Sequence, residues 1–187
     1  MDYYINGYNI FLIVLITFLT SALLTPLVKK IAFHVGAVDK PDHKRKIHDH
    51  IMPSMGGLAI FFAFLIGYML FAPKTTQMLS VLIGGFVVVI TGMLDDINPL
   101  PAKVKFLMQI TAACITVFYG NITFADMTIF GITFKFGIFA YPLAVLFMVS
   151  IMNAINLCDG LDGLATGTST IYFATICIIG YIMNRLG

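Results

Sequence analysis

Glutamate is absent from this chain, and nine aspartates are all that face eleven lysines and arginines across its 187 residues. Any carboxylate chemistry therefore falls to aspartate. Charged residues make up only 11% of the sequence against 59% hydrophobic ones, and the mean hydropathy is +0.96. Soluble domains carry about a quarter of their residues charged, so a soluble enzyme is excluded. Cysteine is sparse as well. Cys114, Cys158 and Cys177 form an odd set without C-x-x-C spacing, which argues for small apolar packing residues and against disulfides or zinc. The net charge of +2 is too small to draw nucleic acid by bulk attraction.

What the chain does have is long uncharged runs: residues 3–28, 51–73, 75–94, 106–125, 136–158 and 163–184, between 20 and 26 residues each. A helix needs about 20 apolar residues to cross the hydrocarbon core, so each run is long enough to span once. The expected fold is an all-α polytopic membrane protein with about six transmembrane helices, in a single domain over residues 1–187. Eight basic residues follow spans one and three (Lys29, Lys30, Lys40, Lys44, Arg45, Lys46, Lys103 and Lys105), and three lie elsewhere (Lys74, Lys135 and Arg185). That bias places the loops after spans one, three and five in the cytoplasm and the N-terminus outside. Seven of the nine aspartates fall on the same cytoplasmic side. The N-terminus carries Asp2 in place of a basic signal-peptide region, and its apolar run is too long for a cleavable signal, so span one is expected to be retained.

Span one is expected over residues 9–28, with Pro26 kinking or ending it near the inner side. Gly56-Gly57 opens span two and permits close helix contact or an unusual turn. Span four is expected to begin after Lys105 and to be short. Between Tyr119 and Phe139 the pattern changes: Ile132, Phe134 and Phe136 alternate with Thr133 and Lys135, which predicts a small β-hairpin on the outer face.

Three groups of residues can carry chemistry. Asp95-Asp96 stands at the inner end of span three, where two adjacent carboxylates need water, a cation or a base to offset them. Neighbours on a helix point about 100° apart, so one can face a metal while the other meets a second donor. Lys103 and Lys105 follow within ten residues and suit phosphate. Asn153, Asn156, Asp159 and Asp162 recur at a strict spacing of three, a stripe of hard oxygens suited to Mg²⁺, with Gly160 and Gly163 expected to break the helix. Loop one adds Lys40, Lys44, Arg45, Lys46 and His48, fixed cations that suit a lipid phosphate or phosphodiester. All three groups lie in successive cytoplasmic loops. Together they imply a metal-dependent phosphoryl-group reaction at the inner membrane surface on a partly lipid substrate.

The same residues carry a resemblance. Asp39-Lys40-Pro41-Asp42 with Arg45-Lys46-Ile47-His48 and Pro53-Ser54-Met55-Gly56-Gly57, then Leu94-Asp95-Asp96 with Leu100-Pro101-Ala102-Lys103, then Asn153-Ala154-Ile155-Asn156-Leu157-Cys158-Asp159-Gly160-Leu161-Asp162-Gly163-Leu164-Ala165, resemble the polyprenyl-phosphate N-acetylhexosamine-1-phosphate transferases. The resemblance implies Mg²⁺-dependent transfer of a sugar 1-phosphate from a UDP-N-acetylhexosamine to undecaprenyl phosphate in the bacterial cytoplasmic membrane, with UMP released. It implies catalytic roles for Asp95, Asp96, Asp159 and Asp162, metal contacts from Asn153, Asn156 and Asp159, and substrate contacts from Lys44, Arg45, Lys46, His48, Lys103, Lys105 and Asn156. Which aspartate serves as base is left open by the motifs. Leu100-Pro101-Ala102-Lys103 is more similar to the N-acetylglucosamine 1-phosphate branch, which starts teichoic acid or O-antigen synthesis, than to the muramoyl-pentapeptide branch.

Members of that family have about ten or eleven spans, so the chain resembles an N-terminal half, and a homodimer or a C-terminal half is an expected partner. A half that inserts in the membrane without catalysing is the main rival reading. Asp159-Gly160-Leu161-Asp162-Gly163 also begins like the CDP-alcohol phosphatidyltransferase signature, but Thr166 follows Ala165 and no later aspartate completes it. A transporter would place its acids near the bilayer midplane, whereas these cluster in loops.

Overall fold

In this computed structural model residues 4–5, 7–39, 51–124, 126–129, 132–158 and 163–183 are described. Among these residues the architecture is six α-helices and three small antiparallel hairpins. Strands β1 (Tyr4–Ile5) and β2 (Tyr8–Asn9) precede α1 (Ile10–Val35), whose first turn is capped by Asn9 Oδ1, accepting from Phe11 N–H at 2.9 Å. Helix α1 does not stop at the Lys29-Lys30 pair or at Pro26. It continues for another turn and more because Val28 and Ala32 are buried against α2, while both lysines point to the surface. Gly36 ends it with φ of 79°, and Ala37 N–H closes back onto Ala32 O at 2.9 Å, a Schellman-type ending that glycine permits without strain.

Strands β3 (Val38–Asp39) and β4 (Met52–Pro53) pair at the base of loop one and lead into α2 (Gly56–Phe71). At 16 residues α2 is shorter than the uncharged run that contains it. Its start is set by the β4 pairing, and its end by Ala72, which is extended because Pro73 follows. Helix α3 (Thr76–Ile97) is capped by Thr75, whose hydroxyl oxygen accepts from Met78 N–H. Helix α4 (Ala102–Cys114) begins ahead of Lys103 and Lys105 rather than after them, since Pro101 supplies the entry, and it runs into a π-helical turn over Ile115–Tyr119. The alternating segment forms the expected hairpin, β5 (Asp126–Ile129) on β6 (Ile132–Lys135), with Met127 opposite Phe134 and Thr128 opposite Thr133. A 3₁₀ turn leads into α5 (Ala140–Cys158), and α6 (Leu164–Ile182) is the next described helix, with Gly163 at φ of 77° on its N-terminal side.

Each helix packs on the next in chain order. Most of the buried residues are small, among them Ala32, Ala59, Ala63, Ser80, Ala112, Ala113 and Val117, with Met55, Phe71 and Leu82 the larger ones, while Phe11, Phe18, Leu23, Ile138, Ile171 and Phe173 face outward. Gly84 lets α3 and α4 approach so closely that an added Cβ would stand 2.5 Å from Thr116 Oγ1. Small residues inside and large apolar ones outside is the packing of helices solvated by lipid. Among the described residues four helical segments are long and apolar enough to cross a membrane, Ile10–Val35, Thr76–Ile97, Ala102–Tyr119 and Gly137–Leu157, and two shorter apolar ones accompany them. The protein is an all-α polytopic membrane protein.

Candidate active site

The last turn of α3 carries Asp95 and Asp96, and the turn separates them. Asp95 faces α4: its Oδ1 accepts from Leu100 N–H at 2.8 Å, and its Oδ2 takes the Lys105 ammonium at 2.7 Å. The local sequence makes this so. Pro99 and Pro101 have no N–H, so Leu100 offers the donor of that short connection, and Asp95 is the acceptor above it.

Asp96 faces the other way and accepts from Met55 N–H at 2.8 Å. Met55 sits at the entrance of α2 in the left-handed region, φ of 72°, with its side chain buried among Val28, Ala32, Ala37 and Ala59 and with Met93 of α3 packed on that group. Ser54 N–H donates to Ala37 O at 3.0 Å, and the β3–β4 pairing of Val38 with Pro53 and Asp39 with Met52 continues it. Asp96 thus ties the end of α3 to the base of loop one. Lys44, Arg45, Lys46 and His48 lie outside the described residues, as do Asp159 and Asp162.

Between α3, α4 and α5 lies a cleft of about 370 Å³. Val88, Gly92, Met108, Met152 and Ile155 give it an apolar floor and sides, Thr91 turns its hydroxyl back to Val87 O, and Asp95, Lys105, Gln109 and Asn156 are its charged and amide groups. Three of those four are residues the sequence singles out. Asn153, one turn before Asn156, stands behind the cleft: its Nδ2 donates to Gln109 Oε1 at 2.8 Å and to Val149 O at 2.9 Å. Lys103 is exposed on the first turn of α4 and does not line the cleft. Among the described residues no three His, Cys, Asp or Glu side chains come together as a metal-holding group.

Sequence reasoning missed Gln109 and the Met55 and Leu100 amides. Gln109 had a legible signal, since it is a polar residue inside an uncharged run and four residues after Lys105, hence on the same helix face. The amides had none, because a backbone donor is the same at every position and only packing chooses its acceptor. Chemically, the cleft offers hard oxygen donors and one ammonium at the end of an apolar helix, and a phosphate oxygen entering there competes with Asp95 for Lys105.

The Glycosyl transferase family 4 model matches residues 78–187, the part of the chain that builds this cleft. A Bacillus subtilis protein named "Probable undecaprenyl-phosphate N-acetylglucosaminyl 1-phosphate transferase" is 46% identical over 167 residues, covering 88% of this chain and 46% of its own length. The decaprenyl-phosphate N-acetylglucosaminephosphotransferase of Mycobacterium tuberculosis is 34% identical over 184 residues, 89% of this chain and 45% of its own length. The undecaprenyl-phosphate alpha-N-acetylglucosaminyl 1-phosphate transferase of Escherichia coli K12 is 31% identical over 169 residues, 87% of this chain and 44% of its own length. The chain therefore spans about half the length of the curated relatives it matches. No solved structure matches it. A family match that takes in α3 from its first turn, the Asp95–Lys105 pair, and both asparagines of α5 leaves one assignment: the chain belongs to glycosyl transferase family 4.

Proposed function

We propose that the protein transfers N-acetylglucosamine 1-phosphate from UDP-N-acetylglucosamine to undecaprenyl phosphate at the inner face of the bacterial cytoplasmic membrane, at the start of teichoic acid or another cell-envelope polysaccharide. An oxygen of the lipid phosphate attacks the sugar-bearing phosphorus of the UDP-sugar. The bond from that phosphorus to the bridging oxygen breaks, and UMP leaves with the electron pair. The observation that carries the reading is the cleft at the end of α3, where Asp95, Lys105 and Asn156 meet beside an apolar wall suited to a lipid. The names of the relatives point to the same class of acceptor. The excess of basic residues after spans one and three supports a cytoplasmic site and an outer N-terminus.

The side-chain donors on offer, carboxylates and carboxamides, are hard oxygens, and they fit Mg²⁺ better than a softer ion. Asn156 and Asp159 would hold it, and Mg²⁺ there would neutralise diphosphate charge; Asn153, whose Nδ2 is engaged by Gln109 and Val149, would support this set from behind the cleft rather than line it. Lys105, with Lys103, Lys44, Arg45, Lys46 and His48 of the cytoplasmic segments, binds and orients phosphate, while Asp95, Asp159 and Asp162 place cations around it and Asp96, turned to the Met55 amide, holds the base of loop one beside the cleft. A strong base is not demanded. A phosphate monoester has a second pKa of about 6 and is already mostly dianionic at neutral pH, so positioning and charge neutralisation dominate.

The test is UMP release by membranes containing the protein at its native length, supplied with UDP-N-acetylglucosamine, undecaprenyl phosphate and Mg²⁺. Asp95→Asn and Asp159→Asn should each lower turnover by ~100-fold or more while insertion stays intact. Near-normal turnover in either variant would show that the site is elsewhere.

A further inference from the structure

We infer that Gln109 is a ligand-contacting residue of the cleft, a hydrogen-bond donor to a phosphate oxygen, and that Asn153 positions it. The inference rests on the transferase reading and assigns a residue that the motifs pass over. Its starting point is the one acceptor in the group whose identity is beyond choice. Val149 O is a backbone carbonyl and can only accept, so the Asn153 amide nitrogen, 2.9 Å away, must be the end that meets it. That leaves the second Asn153 N–H for Gln109, 2.8 Å away, and the Gln109 atom there must be Oε1.

The orientation of Gln109 follows. With Oε1 committed behind the cleft, what the side chain has left to offer is its amide nitrogen, with two donors. Gln109 lines the cleft and Asn153 does not, so the offered end belongs to the cavity that also holds Asp95, Lys105 and Asn156. Lys105 and Gln109 are one turn apart on α4, and an ammonium beside an amide donor on one helix face is a surface for an oxyanion. Turning Gln109 over would set Nε2 against the Asn153 amide, donor against donor, so Asn153 holds the donor forward. The phosphate has two sources, the lipid monophosphate and the diphosphate of the UDP-sugar.

Two substitutions separate a donor from a mere bridge between α4 and α5. Gln109→Glu keeps an oxygen for Asn153 N–H and so keeps the bridge, but it turns the forward group from donor to anion. Gln109→Leu removes both. Purified protein at its native length is titrated separately with UDP-N-acetylglucosamine and with undecaprenyl phosphate, and thermal unfolding without ligand is followed alongside. Gln109→Glu should unfold near the wild-type temperature yet bind one of the two ligands ~10- to 100-fold more weakly, the loss of a hydrogen bond to a charged group. The ligand that weakens names the source, and weakening of both assigns Gln109 to a phosphate position shared by the two. Wild-type affinity of Gln109→Glu for both ligands would overturn the inference and leave Gln109 a bridge. Wild-type protein that binds neither ligand would overturn the transferase reading itself, and this inference with it.

Discussion

Deleting the Lys105 ammonium tests the site where its electrostatics are strongest. Lys105→Met keeps the aliphatic stem and removes the charge 2.7 Å from Asp95 Oδ2. At an effective dielectric constant of 20, unit charges at that separation attract by ~6 kcal/mol, a gross value from which solvation must be subtracted. The exposures, 37% for the Lys105 side chain and 28% for Asp95, say that water competes for both. Exposed ion pairs are worth ~0.2–1 kcal/mol and hydrogen bonds to charged groups ~1.5–3 kcal/mol, and a short, half-exposed pair falls between them at ~1–2 kcal/mol. The two single variants should differ. After Asp95→Asn the lysine swings into water, and the asparagine oxygen still accepts from Leu100 N–H. After Lys105→Met a half-buried carboxylate keeps, among the described residues, only the Leu100 amide. Lys105→Met therefore costs more than Asp95→Asn, and the double variant falls short of their sum by the coupling. The four proteins are compared by SDS unfolding titration in mild-detergent micelles. A coupling below ~0.3 kcal/mol, or a larger cost for Asp95→Asn than for Lys105→Met, would refute the pair as the fastening of the α3–α4 turn.

Asp96→Ala removes the acceptor of Met55 N–H and should loosen the entrance of α2 by ~1–2 kcal/mol, whereas Asp96→Asn keeps an oxygen and should cost less than half of that; hydrogen exchange of the Met55 and Leu58 amides distinguishes them. Gly84→Ala places a Cβ 2.5 Å from Thr116 Oγ1 and 3.0 Å from Ala112 O and should destabilise the α3–α4 contact by ~1–3 kcal/mol, while Gly57→Ala, with nothing within 4 Å, should stay within ~0.5 kcal/mol of wild type in the same titration. With the native cysteines replaced by serine, an impermeant maleimide should label Thr128→Cys on intact cells and Asn98→Cys only after permeabilisation; labelling of Asn98→Cys from outside would reverse the orientation.

Much of the fold is legible in the sequence because lipid imposes simple demands. An uncharged run of 20 residues has few fates other than a helix in hydrocarbon, where every backbone group must be paired internally. The β5–β6 hairpin is legible for a similar reason, since alternation from Ile132 to Phe136 has a period of two that no helix shares. The site is legible only in part. Asp95, Lys105 and Asn156 stand out because charged and amide groups are rare in such a chain, and all three line one cleft. Gln109 carries the same signal by type, but its importance comes from a neighbour 44 positions away in the chain.

Sequence by itself determined the membrane class, the helical runs, the hairpin and the residue types gathered at one end of the chain's spans. Tertiary structure decided where the helices stop: α1 runs on to Val35 because Val28 and Ala32 are buried, and α2 is held to Gly56–Phe71 by a strand pair at one end and a proline at the other. It also decided that Asp95 and Asp96, adjacent in the chain, serve different neighbours, one the α3–α4 turn and the other the base of loop one. The physical reason is the range of each effect. Hydropathy and periodicity act on a residue through its own side chain and near neighbours, whereas the partner of a carboxylate or an amide is whichever group the packing of distant helices brings within 3 Å.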